Sequence, residues 1–365
     1  MSESMKQTFA ADEFLDESRH GVLIDVRSPG EYRAGHIPGA ESLPLFSDAE
    51  RAEVGTIYTR VGRNEAVERG LEIVGPKMAG FVRTARTLAA GKTLYVYCWR
   101  GGMRSGSMAW LLRTAGMPAV VLEGGYRAYR RSFAGLLASK PWRMIVVGGF
   151  TGCGKSDVLR AMAEKGEQVL DLEALANHKG SVFGALGQQE QPTTEEFINR
   201  IHHVFRSLDP SRTVWVEGES QTIGHVTVPV ELFRMMQAAP LVLFSLDRAA
   251  RLRRLVAEYG GFPADELAGA FGKIAKRLGD GYPRALQCLR AGRIEEAATV
   301  AMNYYDKCYT RSIGRENRSF TEFFMPEDDP ARAAELLIER FADGVRPSPD
   351  AARPGKDERK TINRG

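Results

Sequence analysis

This chain is expected to fold as α/β, in two successive parallel-sheet domains, the second closing with a helical part. Three observations lead there. Short apolar runs alternate with helix-like segments, as strands covered by helices on both faces do. The alternation breaks at Lys140-Pro141 and then restarts. Each half also carries a glycine-rich loop directly after one of its apolar runs.

In chain order, residues 22–26 read as the first buried strand, 94–97 as the next and 119–122 as the third. Helical patterns over 79–89 and 105–114 lie between them, Gly124-Gly125-Tyr126 closes the third strand, and a helix over 128–138 follows. The first domain is therefore bounded at 10–138. The second, 141–345, opens as a strand over 144–147, a glycine loop and a helix, with further strands over 168–172, 213–217 and 241–246. From Asp247 onward helical periodicity dominates. The tail 346–365 is rich in Pro, Lys, Arg and Asp with almost no apolar residues and is expected to be disordered. There is no internal repeat.

A length of 365 residues suits two domains, each large enough for its own core. No apolar stretch reaches the roughly 20 residues of a membrane span, and the polar N-terminus lacks the apolar core of a signal peptide. A cytoplasmic protein with no membrane partner is the expectation. Cys98, Cys153, Cys288 and Cys308 show no CxxC pair or zinc spacing, which argues against disulfides and a structural metal. Cys288 and Cys308 read as buried apolar residues of helix-like stretches. The net charge of +4 decides little. Local basic clusters at Arg127–Arg131 with Lys140 and Arg143, at Arg248–Arg254, and at Lys273–Arg277 could track a nucleic-acid backbone, or be solvated helix faces.

The first loop is Cys98-Trp99-Arg100-Gly101-Gly102-Met103-Arg104-Ser105. A cysteine at a strand end, five residues, an arginine and then a helix make a bowl. Its backbone N–H groups can point at one anion, aided by the helix N-terminus. That field favours thiolate over thiol. Gly101 and Gly102 let the backbone turn without Cβ clashes, Arg100 and Arg104 can add charge, and Trp99 lies in the same loop. Cys98 is thus expected to be a nucleophile that carries or attacks an anionic group. With Asp25-Val26-Arg27-Ser28-Pro29-Gly30-Glu31-Tyr32 and Gly35-His36-Ile37-Pro38-Gly39-Ala40, the segment from about 10 to 135 resembles a rhodanese homology domain, the sulfurtransferase fold whose loop cysteine carries persulfide. Asp25, Arg27 and His36 read as structural. Many sulfurtransferases of this fold have a loop one residue shorter, and a cysteine, five residues and an arginine also match phosphatases. The loop by itself leaves chalcogen carrier and phosphatase open. Tyr97 stands where a phosphatase usually has histidine.

The second loop, Gly149-Phe150-Thr151-Gly152-Cys153-Gly154-Lys155-Ser156, is a full Walker A match after an apolar strand and before a helix. Gly149, Gly152 and Gly154 would present N–H groups to a phosphate or diphosphate, Lys155 would neutralise it, and Ser156 could bind Mg²⁺; no other metal is expected. Glu217 ends a strand where a Walker B acid would sit. Cys153 reads as a tolerated small residue. No base-recognition run such as Asn/Thr-Lys-x-Asp is present. Arg248 to Arg254 could be a kinase-like lid or an RNA contact.

A rhodanese-like parallel-sheet domain followed by a P-loop (Walker A) α/β domain resembles the tRNA 2-selenouridine synthase family over most of the chain. Further residues carry the likeness: His178-Lys179-Gly180-Ser181-Val182-Phe183-Gly184, Val216-Glu217-Gly218-Glu219-Ser220-Gln221-Thr222-Ile223-Gly224, and Tyr304-Tyr305-Asp306-Lys307-Cys308-Tyr309. The family commonly has arginine near Gln221 and Thr222, so a role resting on charge there is not implied. The resemblance implies a tRNA partner and two steps at its wobble 2-thiouridine. Geranyl diphosphate first alkylates the sulfur, giving S-geranyl-2-thiouridine. Selenium from selenophosphate then displaces it, with Cys98 passing through S-selanylcysteine. It implies no permanent cofactor. A Walker loop suits the departing diphosphate, and a loop thiolate suits a selenyl group. Trp99, Tyr126, Tyr129 and Tyr304-Tyr305 are stacking candidates for RNA, against core packing. The rival readings are a rhodanese-type sulfurtransferase or Cys-x5-Arg phosphatase coupled to a P-loop kinase, and a non-enzymatic docking module.

Overall fold

The computed structural model describes residues 7–316 and 319–341; the tail 346–365 lies outside them. The chain divides into two units. One runs to Ser139 and takes in Ile198–His203, and the other holds Lys140–Phe197 and the chain from Val204.

The first unit contains β1 (Thr8–Phe9), β2 (Val22–Asp25), β3 (Glu41–Ser42), β4 (Leu94–Tyr97) and β5 (Ala119–Leu122). They form one parallel sheet in the order β1-β5-β4-β2-β3. All four residues of β4 are buried, which requires cover on both faces. Leu94 and Val96 point to one core layer with Met108, Ala109 and Leu112. Tyr95 and Tyr97 point to the other, with Phe14, Tyr126 and Tyr129. This two-residue alternation places Cys98, the next residue, on the Leu94/Val96 side. The helix after the cysteine loop, Met103–Thr114, begins two residues earlier than the apolar pattern suggests, and the helix Gly125–Ser139 three residues earlier. A pair of helices, Asp48–Arg60 and Arg63–Val74, joins β3 towards β4; their mostly exposed residues left no apolar stripe to predict them from.

The second unit contains β6 (Arg143–Gly149), β7 (Gln168–Leu170), β8 (Thr213–Glu217), the short antiparallel pair β9 (Thr222–Ile223) and β10 (Val226–Thr227), β11 (Leu241–Leu246) and β12 (Phe320–Met325). Its main sheet is parallel, in the order β12-β11-β6-β8-β7. Two expectations are corrected. The strand over 168–172 stops at Leu170, because the Asp171 carboxylate accepts the Ala174 N–H at 2.8 Å and caps a helix, Leu172–Ala176. The region after Asp247 is not all helix. β12 pairs with β11 along six residues, from Leu241↔Phe320 to Leu246↔Met325. As an edge strand it is only partly covered, and Phe324 is exposed. The helices Arg248–Tyr259, Ala264–Lys273, Gly281–Arg290 and Ile294–Glu316 supply the helical part. Cys288 is buried there among Leu267, Phe271 and Leu289, but Cys308 is exposed, facing away from that core.

Candidate active site

Cys98 lies at the C-terminal end of β4 and is buried, its Sγ 3.2 Å from Ser105 Oγ. Ser105 Oγ is also 3.3 Å from the carbonyl of Gly102, which its hydroxyl can meet as donor. The loop turns through Gly101 at φ +66°, where a Cβ would stand 2.4 Å from the Leu122 carbonyl oxygen and 2.8 Å from the amide nitrogens of Gly124 and Gly125. Only glycine fits there. Gly102 has φ −98° and open space around a built Cβ, so it carries no such requirement. The loop is tied to the next turn by the amides of Tyr126 and Arg127, which donate to the carbonyls of Cys98 and Trp99 at 2.8 and 3.1 Å.

Arg104 differs from expectation. Its Nη1 and Nη2 donate to the two oxygens of Glu31 at 2.7 and 3.2 Å. Burial counts against the Glu31 charge, but the Arg104 bonds outweigh it and leave its pKa below the ordinary range. Arg104 is thus neutralised by a residue of the Asp25–Tyr32 signature, and the extra positive charge expected in the bowl from that side is already spent. A phosphatase, which needs this arginine on its phosphate, is disfavoured. Arg100 is exposed and Trp99 half-buried against the Tyr97/Tyr126 layer. Tyr126 and Tyr129 are buried in the core, so neither is open to stack on a base. Asp25 and Arg27 form a fully buried pair, 2.7 Å at its closest, and Arg27 also donates to the Gly35 carbonyl. The Arg27 guanidinium lies 3.8 Å from the Tyr126 ring centroid. His36 stacks on Tyr32 at 3.8 Å. These three residues hold the framework under the loop.

The phosphate loop leaves β6 at Gly149 and enters the helix Lys155–Glu164 through Gly154, at φ +82°. Lys155 Nζ donates to the Gly149 carbonyl at 3.3 Å. Burial alone would push the Lys155 pKa down, but Cys153, Glu219, Glu173 and Glu217 nearby hold it up. Ser156 Oγ donates to Glu217 Oε1 at 2.8 Å, with Glu173 Oε2 at 3.1 Å. Glu217, at the end of β8, is fully buried, and burial followed by the charges of Glu173 and Asp171 drives its pKa well up. Carboxylate oxygens of Glu173, Glu217 and Glu219 lie within 4.8 Å of one another. Cys153 is core, packed with Val158, Phe244 and Leu246, and burial pushes its thiol up.

A cavity of about 1020 Å³ opens over this loop. Segments far apart in sequence line it: Lys179, Gly180 and Ser181; Gly218, Glu219 and Ser220; Tyr305 and Tyr309. The Tyr305 hydroxyl accepts the Val182 N–H at 3.0 Å, and Asp306 pairs with Arg251 at 2.5 Å. A Cβ on Gly148 would meet the Tyr309 hydroxyl at 2.6 Å, so that tyrosine stands against the strand leading into the loop. Burial pushes its pKa up to about 12. Tyr304-Tyr305 are therefore not an exposed stacking pair, since Tyr305 is engaged in the wall of this cavity. Of the basic run, Arg248 and Arg251 are held by Asp306, and Arg254 by Asp157 and Asp328. Arg253 is exposed on the cavity wall. A mobile arginine lid does not describe residues paired in this way.

Glu173, Glu219 and Tyr309 carry no role legible from sequence alone. Glu219 and Tyr309 lie inside the stretches Val216–Gly224 and Tyr304–Tyr309 that mark the family, the one signal available. Glu173 has none.

Residues 142–329 match the family model of the tRNA 2-selenouridine synthase AAA domain, and residues 10–132 match that of the rhodanese-like domain. The tRNA 2-selenouridine synthase of Bordetella petrii is 34% identical over 81% of this chain and 88% of its own length. That of Bordetella bronchiseptica is 36% identical over 73% and 78%. That of Psychromonas ingrahamii is 33% identical over 73% and 72%. With a cysteine loop on a rhodanese-like sheet and a phosphate loop walled by the distant motif segments, this chain belongs to the tRNA 2-selenouridine synthase family.

Proposed function

We propose that this protein acts on tRNA in the cytoplasm and replaces the sulfur of a wobble 2-thiouridine by selenium in two steps. In the first, the thiocarbonyl sulfur attacks C1 of geranyl diphosphate. The C–S bond forms, the C1–O bond breaks, diphosphate leaves, and N3 of the base gives up its proton. In the second, selenium derived from selenophosphate bonds to C2, the C2–S bond breaks and geranyl thiol leaves. Water takes the phosphoryl group, so the net change is redox-neutral. Cys98 holds the selenium in transit as S-selanylcysteine. That species lies two electrons above thiol plus selenide, so loading takes a disulfide as oxidant and release takes a thiol as reductant.

The observation that carries this reading is the convergence of three sequence-distant segments on the wall of the phosphate-loop cavity. Gly149, Gly152, Gly154 and Lys155 would hold the departing diphosphate, where fixed donors stabilise the charge that develops on it. The Ser156 hydroxyl with Glu217, Glu173 and Glu219 is an all-oxygen donor set, which fits Mg²⁺. Bound there, Mg²⁺ would neutralise diphosphate charge.

Mass spectrometry of tRNA hydrolysates tests the reading. Cells lacking the protein should lose 2-selenouridine and S-geranyl-2-thiouridine. Cells carrying Lys155→Ala should also lose both, and cells carrying Cys98→Ser should keep the S-geranyl nucleoside and lose the seleno one. Unchanged nucleosides in the deletion strain would sink it.

A further inference from the structure

One cavity joins two unlike surfaces. The N–H groups, lysine and serine of the phosphate loop line one part of it, and Val146, Phe233, Met236 and Leu241 form an apolar part. Phe233 and Met236 are three residues apart on the helix Val230–Ala238, and therefore on one face of it. Met236 is buried and Phe233 half-buried. Leu241 opens β11 beside Val146 of β6, and its Cδ1 lies 3.0 Å from where a Cβ of Gly148 would be. Gly148 immediately precedes the first glycine of the loop. The apolar wall thus begins where the phosphate grip begins. The ring of Tyr309 continues it, packed 5.1 Å from that of Phe150. Gln188 and Gln237 also line the cavity. An apolar wall joined to a few placed polar groups suits an amphiphile.

We infer that this apolar part seats the hydrocarbon of the diphosphate substrate, and that Phe233, with Met236 and Leu241 behind it, sets the chain length accepted. The inference rests on the reading that the loop holds a prenyl diphosphate. Phe233 is a half-buried ring on the cavity lining, so its size would decide how many carbons fit. A larger ring there shortens the space and a methyl group lengthens it.

Calorimetric titration of the full-length protein with inorganic pyrophosphate, geranyl diphosphate, farnesyl diphosphate and ATP separates the possibilities. The wild type should bind geranyl diphosphate at least about tenfold more tightly than pyrophosphate, because a buried chain adds apolar area that pyrophosphate lacks. Phe233→Trp should weaken geranyl diphosphate by about tenfold and leave pyrophosphate within about twofold, which also shows that the variant folds. Phe233→Ala should move the preference towards farnesyl diphosphate. A wild type that holds geranyl diphosphate no more tightly than pyrophosphate overturns the inference, as does a ratio indifferent to both Phe233 variants. ATP binding that weakens in Phe233→Ala would overturn it too, by giving the wall to a base. The parent reading fails in a different arm: pyrophosphate not bound at all, or bound equally by Lys155→Ala.

Discussion

Replacing Glu219 by Gln should stabilise the second unit when no divalent cation is present, and much more at pH 8 than at pH 5. The Glu219 carboxyl is crowded against Glu217 and Glu173. Burial first, and the Glu217 charge second, push its pKa from the ordinary 4.5 up to about 7. An acid whose folded pKa lies above its unfolded one keeps its proton longer in the folded chain. Between those two values the folded state binds more protons, so the unfolding free energy falls as pH rises. The stability is fully present below about 4.5 and lost as pH climbs through about 7. At about 1.4 kcal/mol per pH unit, the rise of about 2.5 corresponds to about 3 kcal/mol at pH 8. Glu173, pushed up to about 8, and Glu217 titrate against the same group, so that figure is an upper bound for one residue. The uncharged amide of Gln escapes the penalty. For a unit of this size the gain corresponds to a rise in melting temperature of up to about 6–12 °C at pH 8, and to little at pH 5. Scanning calorimetry in a chelator at both pH values reads it. Adding Mg²⁺ should reverse the order, stabilising the wild type more than the variant. A variant that melts at or below the wild type at pH 8 in the chelator would refute the reasoning, because the trio would then not be a store of unfavourable charge.

Four further outcomes are expected. Gly101→Ala should cost about 1–3 kcal/mol from the positive φ and more from contact with the Leu122 carbonyl, with loss of Cys98 reactivity towards an alkylating reagent. Gly102→Ala should stay within about 0.5 kcal/mol and keep that reactivity, as paired denaturation and alkylation measurements would show. Asp25→Asn leaves Arg27 buried beside a neutral partner, and urea unfolding should report a loss of about 3–5 kcal/mol. Arg253→Ala should weaken tRNA binding and flatten the slope of log affinity against log salt by about 0.7–0.9, the change expected for one lost phosphate contact; an unchanged slope would remove Arg253 from the RNA surface.

How far the molecule could be read in advance differed from element to element. β4 and β6 were plain because a strand buried on both faces is a continuous apolar run. β12 was hidden because an edge strand is half wet, and Phe320-Thr-Glu-Phe-Phe-Met offers no run to separate it from helix. The capping of Leu172–Ala176 by Asp171 turned on one carboxylate finding one amide, which an apolar count does not detect. The two loops were legible because their chemistry is local. Glycines at fixed spacing, a lysine and a hydroxyl must be neighbours in sequence to surround one phosphate. Cys308 was misjudged because an apolar residue type does not by itself say which face of a helix it occupies.

What the sequence by itself determined is the pair of anion loops, the strands that deliver them and the family to which the motifs point. Each depends on residues close together in the chain. The tertiary structure decided who stands next to whom. It gave Arg104 to Glu31 and so took its charge from the cysteine bowl. It drew Glu173 and Glu217 together at Ser156, with Glu219 close to both carboxylates, and it set Tyr309 and Leu241 against Gly148. Those pairings join residues tens to more than a hundred and fifty positions apart. A charge or an apolar surface is felt over a few ångströms of space, whatever its distance along the chain.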